Sequence, residues 1–330
     1  MITVIGGSPG SGTSLLVNIL NRHSEIVAGP ETSLFSRPQL IVHWSRYKAL
    51  LYGKRIRKLR NPGWHRYYGT DLLHQFYGLN YSELRDVVLR SSDFTTFCTS
   101  LNRLITSRKK KSLWYEKTPG NTASFYHLGK HPEVFRTILI TRNPYDTIAS
   151  LYERGFSIPY ATALYLLNIS AGLSGANKKT TTIRYEDLVL KPQDTLKNLC
   201  QWSVIAYQPE ILYSGEGSMQ MKGWLNAEDG PVSESSIDRF QRLNTEVQDH
   251  IRISIERMKI NLSFDLYGIP FRYCSIIELC DDTGYPAERA VKMKTVPRFM
   301  KNDLIQEKML RSLTGYRTHM FNFPVLYDSI

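Results

Sequence analysis

The first twenty residues, MITVIGGSPGSGTSLLVNIL, restrict the fold more than any other stretch of the chain. Ile2 to Ile5 are apolar and partly β-branched, which favours a buried strand. Gly6, Gly7, Gly10 and Gly12, with Pro9 among them, then supply a turn, and Leu15, Leu16, Ile19 and Leu20 recur at helical spacing. A strand, a glycine-rich loop and a helix in succession turn backbone N–H groups toward an anion at the first turn of the helix. Gly7, Gly12 and Ser14 match the G-x-x-x-x-G-K-[ST] spacing of a nucleoside-triphosphate loop, but Thr13 stands at the lysine position. The cradle is present without the cation that grips terminal phosphates.

Strands and helices alternate downstream. After a strand over 2–6 and a helix over about 12–23, EIVAG reads as a short strand. Residues 31–110 are largely helical, broken by the loop RNPGWHRYYG. SLWYEKTPG is a strand stopped by Pro119 and Gly120. FRTILITRNP is a buried strand ending at Arg142, and Asn143-Pro144 opens the next helix. TTTIRYEDL runs from strand into helix, and 234–260 reads as one long amphipathic helix. This alternation predicts an α/β fold, a P-loop-like doubly wound parallel sheet flanked by helices, with ligands at the carboxyl ends of its strands. From about 271 the pattern weakens, and MKTVPRFMKNDLIQEKML offers one further helix. The expected organisation is a domain over 1–270, with a helical insert at about 31–110, and a C-terminal extension over 271–330.

A second anion site is written into TRNPYDTIASLYER. Ser150 and Arg154 lie eight and twelve residues after Arg142, offsets near whole helical turns that put both on one face. An arginine fork, a hydroxyl and a second arginine suit a phosphate monoester. A triphosphatase needs neither this site nor a missing lysine.

A formal charge of +12 favours anionic partners: a nucleotide, an acidic substrate, nucleic acid or a membrane surface. No nucleic-acid recognition motif accompanies that charge. Cys98, Cys200, Cys274 and Cys280 form no metal-type pairs, and no carboxylate cluster marks a magnesium site, so no metal is expected. The sparse cysteines suit a reducing compartment, no apolar run is long enough to span a bilayer, and Met1 leads straight into the first strand. The expectation is a soluble cytoplasmic protein.

In GSPGSGTS, YEKTP, RNPYDTIAS and IRYEDLVLKP, in that order, the chain resembles the sulfotransferases that use 3′-phosphoadenosine 5′-phosphosulfate (PAPS), in the branch of carbohydrate-type and tyrosylprotein enzymes. PVSESSIDRF is similar to the family's late nucleotide-contacting segment. The resemblance covers roughly residues 1–270. It implies PAPS as co-substrate and in-line attack of an acceptor hydroxyl on sulfur, with adenosine 3′,5′-bisphosphate leaving. It makes Ser8, Pro9, Gly10, Ser11, Gly12, Thr13 and Ser14 the 5′-phosphosulfate loop, and Arg142, Ser150 and Arg154 the 3′-phosphate site. PAPS carries less charge there than a triphosphate, so backbone N–H groups, hydroxyls and the helix dipole can serve without a lysine or magnesium. The resemblance further implies nucleotide contacts by Tyr185 and Arg239, a catalytic base at Glu31 in GPETS, and Lys117 as the stabiliser of sulfuryl charge. The chain departs from the family at Gly10, where many members carry lysine or arginine. Lys117, a later residue such as Lys222, or backbone amides would then assist the leaving phosphate.

Each of these residues also has an ordinary structural alternative. Arg142 could close its strand as an ion-pair partner, Ser150 could face solvent, and Glu31 could cap the following helix. Lys117 could be a surface lysine, Tyr185 could pack in the core, and Arg239 could sit on a solvated helix face. The histidines, His23 and His65 among them, lack ligand spacing and read as structural. The basic runs GKRIRKLR and SRKKKS are solvated faces or steer PAPS or an acidic acceptor. The aromatic stretches NPGWHRYYG and HQFYGLNYS line an acceptor pocket or join the core. Two other functions fit parts of the pattern. One is a P-loop kinase-like enzyme, against which the absent lysine counts; the other is a nucleotide-binding protein without turnover, which Gly10 would suit.

Overall fold

The computed structural model describes residues 1–51, 76–212, 236–260, 268–288 and 325–327. Lys54–Arg60, His65, Lys222 and the segment 293–310 lie outside them, as do the whole of NPGWHRYYG and the first two residues of HQFYGLNYS.

Five strands form one wholly parallel sheet: β1 (Ile2–Gly7), β2 (Ile26–Ala28), β3 (Leu113–Lys117), β4 (Phe135–Thr141) and β5 (Thr180–Arg184). Their spatial order is β2-β3-β1-β4-β5. The chain leaves β1 toward one edge and later returns to its other side, so β1 lies at the reversal of strand order, where such sheets bind ligands. Ile5 pairs with Lys117, and Gly7 with Ile140, which aligns the strand ends at one rim of the sheet.

Alternation along the strands separates two cores. Ile2, Val4 and Leu139 face one side, with α2 (Tyr81–Arg90), α3 (Phe94–Lys109), α4 (Pro144–Glu153) and α5 (Ile158–Ser174). Ile5, Ile138 and Ile140 face the other, covered by α1 (Thr13–Leu20) and α6 (Pro192–Ser203). α5 is apolar on nearly every face and is buried along almost its whole length. The segment 155–178 is therefore mainly a core helix.

One expected element does not form as read. Instead of a single helix over 234–260, residues 236–242 are turns, α7 spans Thr245–Arg257, and Met258–Ile260 is strand β6. The Asn244 side chain caps α7 by accepting from the Val247 amide at 3.0 Å, which sets the start of the helix. Upstream, the Asp146 carboxylate accepts from the Asp238 and Phe240 amides at 3.1 and 2.9 Å and holds the turn open. β6 pairs antiparallel with β7 (Val325–Tyr327).

The described part of the weakly patterned region after 271, residues 271–288, packs closely. α8 (Ile276–Thr283) buries Ile276, Leu279 and Cys280 in the same core as α4, α5 and α7.

Candidate functional site

The loop 8–14, Lys117, Arg142 and Tyr185 lie at or just beyond the carboxyl ends of β1, β3, β4 and β5. The loop after β1 is closed internally: the Ser11 amide and hydroxyl both donate to the Ser8 carbonyl, at 3.0 and 2.7 Å. Ser8 and Ser11 are buried, and the Ser8 hydroxyl donates to the Pro9 carbonyl at 3.2 Å. Gly10 and Gly12 have φ of 86° and 92°, a region that favours glycine. Close packing adds a second constraint at Gly12, where a Cβ would stand 2.2 Å from the Tyr185 ring. Thr13 is buried at the start of α1, leaving Ser14 as the half-buried hydroxyl of that turn.

Lys117 ends β3 fully buried. Its Nζ lies 3.1 Å from Ser14 Oγ and 2.6 Å from Glu31 Oε1. Lys117 thus joins the first turn of α1 to the partly exposed Glu31 carboxylate; it is not a surface lysine. Glu31 heads no regular helix, so a capping role does not explain it.

The neighbouring residue was not singled out from sequence. Glu116 is fully buried, and its carboxylate accepts from the Thr32 amide (2.9 Å), the Thr32 hydroxyl (2.7 Å), the Thr118 hydroxyl (2.9 Å) and the Asn121 amide (2.5 Å). Burial pushes its carboxyl above the usual glutamate range, while these donors oppose the shift. Asn121 also donates to the Ile5 carbonyl at 2.9 Å, and the Ser33 amide to Thr118 Oγ1 at 3.1 Å. The segment carrying Glu31 is pinned between β1 and β3 by this network. The available signal was YEKTP itself: in a buried strand, a carboxylate beside the lysine must be satisfied internally.

At the end of β4, Arg142 is buried and turned toward the glycine loop. Its Nη1 donates to the Gly10 carbonyl at 2.8 Å, and its guanidinium stacks 4.5 Å from the centre of the Tyr185 ring. Nη2 reaches the Ser236 carbonyl. Arg239 donates to Ser236 Oγ at 3.0 Å and pairs with Glu153 at 2.6 Å. Burial, then Tyr185, Asp146 and Arg239, act on the Arg142 guanidinium, and the net effect lowers its pKa. Arg154, at the end of α4, is shifted downward by burial and then by Arg239. Arg239 therefore stands within electrostatic reach of both other arginines. Among the described residues, the buried Nε groups of Arg142 and Arg239 have no hydrogen-bond partner. A cluster of cations with unmet donors suits an anion. Ser150 is buried one turn before Arg154, but among the described residues no hydrogen bond joins its hydroxyl to Arg142 or the loop.

The Gly10 departure also has a geometric counterpart: a cation reaches the Gly10 carbonyl from the end of β4. SRKKKS, by contrast, is largely structural. Lys111 caps the end of α1 by donating to the Asn21, His23 and Ile26 carbonyls, and Arg108 pairs with Glu83. His23 is tied to the Ala206 carbonyl at 2.8 Å, as a structural histidine. Among the described residues no His, Cys, Asp and Glu group is placed to hold a metal.

A profile of the sulfotransferase family matches residues 3–209, which include every named site residue except Lys222 and Arg239. The sulfotransferase domain from the Synechococcus PCC 7002 olefin synthase superposes with a TM-score of 0.55 at 19% identity, over 74% of this chain and 88% of that one. The sulfotransferase domain from the curacin biosynthetic pathway gives 0.51 at 19% identity, over 87% of this chain and 98% of that one. No curated protein sequence matches this chain significantly. The structural likenesses establish the shared fold, and the profile spans more than half of the sequence. The chain belongs to the sulfotransferase family.

Proposed function

We propose that the chain moves a sulfuryl group from PAPS to a hydroxyl of a small-molecule, glycan or glycolipid acceptor. The observation that carries this reading is the arginine cluster: Arg142 bonded to the loop carbonyl of Gly10, next to Arg239, both with a buried Nε that has no hydrogen-bond partner among the described residues. Such donors suit the 3′-phosphate that distinguishes PAPS from other adenine nucleotides, while the loop and α1 receive the 5′-phosphosulfate. In the reaction, the acceptor oxygen bonds to sulfur as the sulfur–oxygen bond to the 5′-phosphate breaks. The Glu31 carboxylate takes the acceptor proton, and adenosine 3′,5′-bisphosphate departs with the bond's electron pair. Lys117, between Ser14 and Glu31, is positioned to offset charge on the sulfuryl oxygens and to hold the base in place.

The net positive charge favours an acidic acceptor. The four free thiols and the lack, among the described residues, of a helix able to cross a membrane support a cytoplasmic setting. The experiment is calorimetry with adenosine 3′,5′-bisphosphate, followed by incubation with PAPS and a panel of hydroxyl acceptors. Saturable binding and a sulfated product are expected. A protein with no affinity for the bisphosphate is not a PAPS enzyme.

A further inference from the structure

The segment after α8 has no part in the nucleotide motifs, yet its polar contacts converge on the turn that carries Arg142. Tyr285 is nearly buried, and its hydroxyl donates to Glu186 Oε2 at 2.7 Å. The other oxygen of Glu186 accepts from the Asn143 amide at 2.9 Å. Asn143 caps α4 and directly follows Arg142 in sequence. Three residues beyond Tyr285, the Glu288 backbone brackets the Tyr145 hydroxyl: its amide donates at 2.7 Å and its carbonyl accepts at 3.1 Å. The Glu288 carboxylate is anchored to Arg252 of α7 at 2.8 Å. Residues 285–288 thus hold both Asn143 and Tyr145 within one turn.

We infer that this segment is a latch for the donor site, with Tyr285 positioning Arg142 through Glu186 and the Asn143 amide. The inference rests on the PAPS reading above. Physically, an arginine selects a phosphate only if its guanidinium is aimed before the ligand arrives; otherwise binding must also order the turn. A carboxylate that accepts from both the cap amide and a buried hydroxyl removes that freedom. Tyr285 also carries the Arg184 guanidinium on its ring at 4.4 Å, so the ring itself has a packing role that Tyr285→Phe retains. The hydroxyl is the part left for positioning.

The test compares two probes by calorimetry: adenosine 3′,5′-bisphosphate, and adenosine 5′-monophosphate, which lacks the 3′-phosphate. Tyr285→Phe is expected to weaken the bisphosphate about 5- to 20-fold, near the lower end of what one lost hydrogen bond to a charged group is worth because the effect on Arg142 is indirect, while leaving the monophosphate within twofold. Glu186→Gln should lower the same affinity ratio, and the double variant should lose little more than the worse single one, because both act along one path. Tyr115→Phe is the matched control: it deletes a buried tyrosine hydroxyl bonded to Ser203 at 2.7 Å on the far side of the sheet, and should leave the ratio unchanged. If the parent protein binds the bisphosphate and Tyr285→Phe keeps the parent's ratio, the latch is wrong and the donor reading stands. A change of the same size in Tyr115→Phe would also sink it, by showing a global effect. If the parent does not bind the bisphosphate, both readings fall together.

Discussion

Two halves of the rim treat their polar groups in opposite ways. Around Lys117, Glu31 and Glu116, the charged groups are matched within the protein: Glu116 has four donors, and Lys117 has both Ser14 and Glu31. Around Arg142 and Arg239, two buried guanidinium nitrogens have no hydrogen-bond partner among the described residues, and burial, with Arg239 adding to it, lowers the pKa of Arg142 and Arg154. A self-satisfied network costs little to keep and holds its members still, which suits groups that must meet a reacting atom at fixed geometry. An unsatisfied cationic cluster is costly until an anion completes it, which suits affinity. Under the proposed function, the first half would serve chemistry and the second grip.

Glu31→Gln probes the largest consequence of that contrast. It should lower turnover about 10²- to 10⁴-fold, the usual worth of a placed base, while bisphosphate affinity stays within a few fold. Equal losses in calorimetry and turnover would erase the distinction between the two halves. Arg142→Ala should do the reverse, weakening the bisphosphate on the order of 100-fold, since charge-assisted hydrogen bonds are worth about 1.5–3 kcal/mol each. Retained affinity in titration would remove Arg142 from the donor site.

Gly12→Ala sharpens the picture at the junction of the halves. A Cβ at φ 92° and 2.2 Å from the Tyr185 ring must displace the ring that supports Arg142. We expect about tenfold weaker bisphosphate binding and a lower Tm; unchanged values in both would show that the ring moves freely.

The smallest effect concerns Glu116→Gln. The substitution puts a donor among four donors, and stability should fall by about 1–3 kcal/mol in denaturant titrations. A pH signature should accompany it. Burial raises the folded-state pKa of Glu116 above the ordinary 4.5, so its contribution to stability is complete below that value and is lost as pH rises through the raised one. The variant lacks this group, so the stability gap between parent and variant should narrow as pH rises from about 4.5. A gap that widens over that range would overturn the assignment.

Much of this was legible before folding was considered. GGSPGSGTS announced a loop and a helix start because only glycine-rich backbone bends so tightly, and RNP announced a strand end followed by a helix. Ser150 and Arg154 were read as sharing a face, eight and twelve residues from Arg142; Arg239, which stands within electrostatic reach of Arg142 and Arg154, was not part of that spacing. Arg239 lies 85 residues beyond Arg154 in sequence, so no periodicity could pair them. The reading of 234–260 as one helix failed because the apolar period is blind to the Asp146 carboxylate that captures the Asp238 and Phe240 amides. Glu116 was passed over because sequence does not show that a carboxylate in a strand will lie fully buried.

Local backbone chemistry, encoded in the order of glycines, prolines and apolar residues, was enough to determine the parallel sheet, the glycine loop at the start of α1 and the rim that carries the candidate site. Side-chain partnership across long separations was decided only in three dimensions: Lys117 with Glu31, Arg142 with Gly10, Tyr285 with Glu186. The reason is physical. Strands and turns follow from steric preferences of neighbouring residues, whereas the pairing of buried charges follows from desolvation, and what a group is desolvated against depends on where the whole chain has brought it.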